Sequence, residues 1–299
     1  MAEDFSKRAE ILLEALPYIQ KFAGKTIVIK YGGAAQSDNL LRTNFARDIV
    51  LLKFVGIHPV VVHGGGPQIT KMLDTLQIPT QFIDGHRVTD SASMEIVEMM
   101  LSGLINKEIV SMIVQAGGLA VGISGKDAGL ALARPHHLKR SKPDGTTEEI
   151  SLGQVGTIEK INPALIQSMI GQGYIPVIAP VSADNDGRSM NINADTMAGE
   201  IAAALKADKL ILLTDTQGVL QNNQVLTGLT PLKVNELIQS GVISGGMIPK
   251  VECCLSAIHQ GVARTHIIDG RVPHSLLLEV FTDSGVGTLI TSELESVIN

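Results

Sequence analysis

A short apolar run that stops at a lysine and two glycines, Thr26-Ile27-Val28-Ile29-Lys30-Tyr31-Gly32-Gly33, limits what this chain can fold into more than any other stretch. Three β-branched apolar residues in a row, closed by glycine, suit a strand buried on both faces, the habit of parallel sheets. Similar runs recur at 59–62, 120–123, 175–179 and 209–214, and the intervening segments 40–54, 67–76, 91–101, 107–116, 163–171 and 196–205 read as helices. Strand, helix, strand in that order requires right-handed parallel crossovers. Ligands of open α/β sheets bind at the carboxyl ends of strands, where Lys30 stands. The lysine is placed to meet an anion; taken alone, it is equally a solvated residue in a turn.

Other strand ends carry similar chemistry. His63-Gly64-Gly65-Gly66-Pro67 exposes main-chain amides at a helix N-terminus, with the proline suited to the first turn. Asn191-Ile192-Asn193-Ala194-Asp195 leads into a helix, and two asparagines and an aspartate within five residues exceed what capping requires. Asp215-Thr216-Gln217-Gly218-Val219-Leu220 is again a polar, glycine-bearing turn after a strand. In Ser244-Gly245-Gly246-Met247-Ile248-Pro249-Lys250 the lysine opposes the dipole at a helix start, an unfavourable local choice that points to function. Backbone amides and two lysines at one sheet edge form a clamp for a transferring phosphoryl group.

The remaining segments are less distinctive. Residues 4–22 form an amphipathic helix with Ile11, Leu12, Ala15, Leu16 and Ile19 inward, bent or ended near Pro17, covering the sheet edge or another subunit. Residues 80–89 read as a hairpin turning at Asp84-Gly85, with Arg87 either a surface charge or a fork for a carboxylate. Between 130 and 161, alternating pieces broken by Pro143, Asp144-Gly145 and Gly153 suggest antiparallel excursions at a sheet edge, with His136 and His137 in a solvated basic loop. No Pro- or Ser-rich linker divides the 299 residues, so one domain is expected.

Several function classes are disfavoured. A net charge of -6, no tryptophan and 3% aromatic content argue against nucleic acid or an anionic membrane as partner. The adjacent Cys253 and Cys254 suit neither a disulfide nor zinc and fit buried thiols in a reducing compartment. Glu3, Asp4, Glu10 and Glu14 do not make a signal peptide, and no apolar run has membrane-spanning length, so a soluble protein of cytoplasm or organelle matrix is expected. Gly24-Lys25-Thr26 mimics a P-loop, but Ile19 stands where its first glycine is needed. Gly64, Gly66 and Ile69 miss the dinucleotide fingerprint by one residue, and neither a zinc motif nor a nucleophile elbow is present.

Taken together, Ile29-Lys30-Tyr31-Gly32-Gly33, His63-Gly64-Gly65-Gly66-Pro67, Arg87-Val88-Thr89, Asn191-Ile192-Asn193-Ala194-Asp195, Leu213-Thr214-Asp215 and Gly246-Met247-Ile248-Pro249-Lys250 resemble the acetylglutamate kinase branch of the amino acid kinase family, in the family's order and over residues 12–293. The resemblance implies a three-layer αβα sandwich around an open, mainly parallel sheet. It implies an N-terminal helix (1–24), an N-lobe (25–190) for N-acetyl-L-glutamate and a C-lobe (191–299) for ATP. The implied reaction passes a phosphoryl group from ATP to the γ-carboxylate, giving an acyl phosphate, in the second step of arginine biosynthesis. Carried over by motif, Gly65, Gly66, Arg87, Asn191 and Asn193 would bind the acceptor, with Arg87 on its α-carboxylate. Lys30 and Lys250 would stabilise the transferring group and Asp195 would orient them. Gly32, Gly33, Asp215, Gly218, Val219, Leu220, Val242, Ile243 and Ser244 would line the nucleotide site. Mg2+ would arrive on the nucleotide phosphates, without metal ligands from the chain. An ionised carboxylate needs no general base, which agrees with reading His63 as structural.

The segment Ala15-Leu16-Pro17-Tyr18 resembles the longer branch of that family, a hexameric trimer of dimers inhibited by arginine. Tyr18, His266, Glu279 and Gly287 would then belong to the arginine site. Some members also partner a PII signal protein, and no residue here decides this. His86 stands where the family often has an apolar residue. A sister kinase for another carboxylate, carbamate or a nucleotide would share the lysines and glycines, whereas a silent amino-acid sensor would have no need of both lysines.

Overall fold

Alternation along the first strand, β1 (Thr26–Tyr31), sets up the architecture: Ile27, Ile29 and Tyr31 turn to one face of the sheet, Val28 and Lys30 to the other. The computed structural model describes residues 2–36, 38–83, 85–141, 147–282 and 285–292. The anticipated turn residues Asp84, Pro143, Asp144 and Gly145, and the side chains of Ile11, Leu12 and His86, lie outside the description.

Strand β1 is central because it pairs in parallel on both sides, with β2 (His58–His63) and with β11 (Lys209–Thr214). With β5 (Ala120–Ser124), β8 (Ile175–Ala179), β14 (Arg264–Asp269) and β15 (Thr288–Thr291) they form a seven-stranded sheet ordered β15-β14-β11-β1-β2-β8-β5. Every neighbour is parallel except β15, which runs against β14. The face of Ile27 and Ile29 is covered by α1 (Ala2–Phe22), α2 (Asn39–Phe54), α5 (Asn106–Gln115) and α10 (Ser275–Phe281), through residues such as Phe45, Ile49, Ile113 and Val280. The face of Val28, Val60 and Leu210 is covered by α6 (Ala164–Gly171), α7 (Ala194–Ala204), α8 (Pro231–Gln239) and α9 (Ile248–His259), through Ile166, Ile201, Leu237 and Val251. Two apolar layers separated by a sheet buried on both faces make the three-layer αβα sandwich that the family resemblance implies.

Three local expectations are corrected. Helix α1 does not end at Pro17 but continues to Phe22, because Tyr18 and Ile19 beyond the proline, like Ala15 before it, pack on the core. Residues 91–116 do not break: α4 (Ser91–Glu98) passes into a π-helical stretch, Met99–Ile105, and then into α5. Residues 130–161 do not fringe the sheet. Strands β6 (Ala131–Ser141) and β7 (Thr147–Ile161) close with β9 (Val181–Ala183) and β10 (Ser189–Ile192) into a separate four-stranded barrel. Strands β9 and β10, of three and four residues, are too short for a periodic signal, and the turn between them is drawn tight by Asp184, whose carboxylate accepts from the amides of Asp186 and Arg188.

Helix α3 (Gly66–Thr75) follows β2 directly. The hairpin of β3 (Gln81–Ile83) and β4 (His86–Val88) is tied to the barrel through Thr89, which exchanges hydrogen bonds with Leu152 O (3.0 Å) and Gln154 N (2.7 Å). Gly153 stands opposite with φ +73°, and any side chain there would meet the Thr89 carbonyl. A second, short hairpin, β12 (Leu220–Gln221) with β13 (Gln224–Val225), follows β11. Among the described residues no helix is long and apolar enough to cross a membrane.

Candidate active site

Three elements from distant parts of the chain bring one carboxylate between two lysines. Lys30 leaves the carboxyl end of β1, Asp195 lies in the first turn of α7 and Lys250 in the first turn of α9. Lys30 Nζ is 2.9 Å from Asp195 Oδ1 and Lys250 Nζ is 3.1 Å from Oδ2, with all three side chains 12–20% exposed. Burial alone would raise the Asp195 pKa, but the charges and hydrogen bonds of Lys30 and Lys250 outweigh it and hold the carboxyl below the usual range. Two cations thus stand around one fixed anion, leaving net positive charge for an incoming anion. Asn193 caps α7, its Oδ1 accepting from the amides of Asp195 (2.8 Å) and Thr196 (3.2 Å). Capping therefore occupies the carbonyl end of that side chain.

The glycines explain how backbone comes so close. A Cβ on Gly32 would lie 3.1 Å from Lys30 Nζ and 3.7 Å from Gly64 N, and one on Gly64 would lie 3.9 Å from Ala194 Cβ. The loops after β1 and β2 and the start of α7 therefore converge beside the Lys30 ammonium. Gly65 abuts the π-helical stretch, where a Cβ would press on Ile105 and come within 2.9 Å of Leu101 Cδ2. Gly66 opens α3, with Pro67 in its first turn, and space for a Cβ is free there. The first amides of a helix have no intrahelical acceptor, so this corner favours an anion. Gly33 takes φ +59°, a left-handed conformation that favours glycine.

Arg87 closes the same corner. Its Nη2 donates to Thr70 Oγ1 (2.7 Å) and Gly66 O (3.4 Å), and its guanidinium lies 4.7 Å over the Phe82 ring. Nη1 is buried with no hydrogen-bond partner among the described residues. Burial draws the arginine pKa down, against the pull of Asp74, yet a guanidinium so far above neutrality stays charged. A buried, unpaired charged donor beside a helix N-terminus is costly unless an acceptor such as a carboxylate completes it. Asn191, on β10, donates to Thr89 Oγ1 (3.3 Å), two residues beyond Arg87 in the chain.

Of the residues assigned to a nucleotide, Gly32 and Gly33 follow β1, residues 215–220 follow β11, and residues 242–244 lie between α8 and α9. Asp215, Leu220 and Ser244 are exposed, and Val242 is half-buried. Val219 and Ile243 are core residues at 1% and 2% exposure, and the Val219 backbone is fully engaged, its amide to Thr288 Oγ1 (2.8 Å) and its carbonyl to Leu226 N (2.8 Å). Gly218, at φ +130°, lies against Thr288 and Ile267. The side chains of Val219 and Ile243 thus pack into the core beneath α8 and α9.

Elsewhere, His266 and Glu279 are brought together with 285–287. His266 Nδ1 lies 2.6 Å from Glu279 Oε1, and Glu279 Oε2 accepts from Val286 N (2.7 Å). Burial holds His266 down to about 4, so the ring is neutral and Nδ1–H donates. Burial pushes Glu279 up, but the His266 and Val286 hydrogen bonds and the charge of Lys209 prevail and keep it ionised. A Cβ on Gly287 would press on Ile267 O. Tyr18 packs at the edge of the same apolar layer, from α1.

Several participants had no signal in the sequence. Thr70 reaches Arg87 from one turn into α3, and Cys253 Sγ donates to Asp195 O (3.0 Å) from the helix that carries Lys250. Gly199 makes that approach possible, since its Cβ would be 2.9 Å from Cys253 Sγ. Burial pushes the Cys253 thiol well above its ordinary pKa, so it remains a protonated donor. A polar residue at helical spacing inside an apolar face, as at Thr70 and Cys253, is the trace that could have drawn notice. Among the described residues no three His, Cys, Asp or Glu side chains group as a metal site.

A parallel α/β protein that holds two lysines, one at a strand end and one at a helix start, on one carboxylate, beside open helix amides and an unsatisfied arginine, has the design of a phosphotransferase. Comparison with known proteins agrees. Residues 25–269 match the model of the amino acid kinase family. The chain is 56% identical over 285 residues to acetylglutamate kinase of Leptospira biflexa, covering 95% of this chain and 98% of that protein. It is 56% identical over 293 residues to acetylglutamate kinase of Carboxydothermus hydrogenoformans, covering 97% and 99%. Among solved structures, N-acetylglutamate synthase of Neisseria gonorrhoeae complexed with coenzyme A and N-acetyl-glutamate superposes with TM-score 0.82 at 24% identity over 95% of this chain. This chain spans 63% of that synthase, which has also been seen with coenzyme A and L-arginine (TM-score 0.78, 25% identity, 65% of its length). The chain belongs to the amino acid kinase family and is a kinase.

Proposed function

We propose that this kinase transfers the γ-phosphoryl group of ATP to the γ-carboxylate of N-acetyl-L-glutamate, forming an acyl phosphate for arginine synthesis. The observation that carries the phosphoryl-transfer reading is the Lys30–Asp195–Lys250 bridge. The acceptor comes from the names of relatives that match nearly end to end. Lys30 and Lys250 neutralise charge that moves onto the phosphoryl oxygens, and Asp195 keeps both ammonium groups aimed while the site is empty of phosphate. Residues 25–190 hold the acceptor through the Gly65 and Gly66 amides and Arg87, with Asn191 joining them from the start of the next segment. Residues 191–299 hold the nucleotide, with Gly32 and Gly33 reaching it from the first loop. Mg2+ enters on the phosphates. The acceptor oxygen is already an anion, so the chain supplies position and charge rather than a base.

Trapping with hydroxylamine tests the reaction directly. A coloured hydroxamate is expected with ATP and N-acetylglutamate, and not with glutamate, aspartate or carbamate; its absence with N-acetylglutamate would sink the assignment. Arginine added to the same assay tests inhibition through the His266, Glu279 and Gly287 cluster, a reading supported by the arginine complex of the synthase. Undiminished colour at millimolar arginine would dispose of that part. Sedimentation would test the hexameric reading of the N-terminal helix.

Replacing Arg87 separates recognition from chemistry. With Arg87→Ala, KM for N-acetylglutamate should rise by roughly 10- to 100-fold, as expected for a lost charged hydrogen bond of about 1.5–3 kcal/mol, while KM for ATP changes little. An unchanged acceptor KM would make Arg87 a structural partner of Thr70 alone.

A further inference from the structure

Asn106 follows the π-helical stretch and is fully buried. Its Oδ1 accepts from Lys107 Nζ at 3.0 Å; a lysine only donates, so the amide orientation is fixed. Nδ2 then faces Val177 O (3.0 Å), His63 Nε2 (3.2 Å) and Ile123 O (3.4 Å). Gly122 leaves room for this insertion, since a Cβ there would occupy the place of Oδ1. An amide nitrogen only donates as well, so His63 Nε2 accepts and the ring proton sits on Nδ1, 3.0 Å from Gly64 O. His63 is completely buried, and burial, with the neighbouring Lys107 charge, draws its pKa to about 4, so the ring is neutral.

Gly64 O has a second donor, Gln36 Nε2 at 3.4 Å, itself steadied by Gln68 (2.9 Å). Gly64 N–H is likewise spent, on Tyr31 O at 2.8 Å. In a trans peptide the carbonyl of one residue and the N–H of the next point in opposite directions. Pinning Gly64 O toward His63 therefore turns the Gly65 N–H away from it, and that amide has no acceptor among the described residues. The wider π turn places Asn106 beneath β2 while Leu101 and Ile105 stand against Gly65, so one helical irregularity serves both contacts.

We propose that Asn106 and His63 are positioning residues for phosphoryl transfer: Asn106 selects the His63 tautomer, and His63 locks the Gly64-Gly65 peptide so that its amide donor faces the reacting anion. The inference rests on reading the glycine loop as the anion site.

Side chains that keep or lose the donor at the Nδ1 position test it. Asparagine at 63 retains an N–H near that position, whereas glutamine extends past it. His63→Gln should lower kcat by roughly 10- to 100-fold with KM for ATP within about twofold, and His63→Asn should recover most of that loss. In Asn106→Asp the carboxylate would accept a hydrogen bond from Nε2–H, so the single proton of the neutral ring would sit on Nε2 and leave a bare Nδ1 against Gly64 O. Only the imidazolium, facing Lys107 as its charged neighbour, would then donate to Gly64. The variant should therefore show a kcat that falls as pH rises through the imidazole pKa, where the parent is flat. Equal activity of His63→Gln and parent, equal impairment in both His63 variants, or a flat profile in Asn106→Asp would each overturn the inference. Absence of turnover in the parent with N-acetylglutamate would instead remove the functional reading beneath it.

Discussion

Lys250→Ala should lower turnover about 100-fold, a loss of roughly 3 kcal/mol, with KM for the acceptor nearly unchanged. The lysine stands at a helix N-terminus, where its charge opposes the dipole, and it is 20% exposed, so neither local helix stability nor solvation explains its presence. Asp195 fixes it, and removal leaves Lys30 as the only cation of the bridge. A suitable control is Lys233→Ala, which loses an exposed pair with Glu236 one helical turn away and should change stability by under about 1 kcal/mol and turnover not at all. A kcat split of this kind marks an interaction made in the transition state rather than in substrate binding. Near-parental turnover of Lys250→Ala would reduce its bond with Asp195 to a structural ion pair.

How far the sequence carries the reader depends on the range of the forces involved. Strands β1, β2, β8 and β11 announce themselves because burial on both faces permits little but Val, Ile, Leu and Ala. The barrel does not, since β9 and β10 are held by pairing with partners on β6 and β7 rather than by any pattern of their own. The π-helical stretch was hidden for a related reason: Ser102-Gly103 weakens the local helical signal, and packing of Leu101 and Ile105 on Gly65 overrides it. At the site, Lys30 and Lys250 were legible as misplaced charges at strand and helix ends, but their meeting on Asp195 is a property of topology. Asn193 and Asp195 look alike in sequence, and only the structure separates the cap from the bridge. Asn106 was invisible, because a buried asparagine is defined by acceptors from β2, β5 and β8 that no local window contains.

Asp195→Asn should separate the two things the bridge does. The substitution keeps the shape of the side chain and removes its charge, leaving two ammonium groups around a neutral amide. Such a site attracts nucleotide phosphates at least as well as before, so KM for ATP should hold or fall. The lysines, however, repel each other and lose their common anchor, and kcat should drop about 100-fold, because orientation is lost where charge develops. Stability supplies an independent check with a definite sign. The folded-state pKa of Asp195 lies below its unfolded value, so the carboxylate's contribution is fully present above the unfolded value of about 3.9 and disappears as pH falls through the folded one. At neutral pH the variant should melt below the parent by several degrees, since a mostly buried pair has been broken from one side. On acidification through that window the difference should shrink, as the parent's own carboxyl takes up its proton. A melting difference that stays constant down to pH 3, or an unaltered kcat, would show that Asp195 neither carries its charge in the folded state nor aims the lysines.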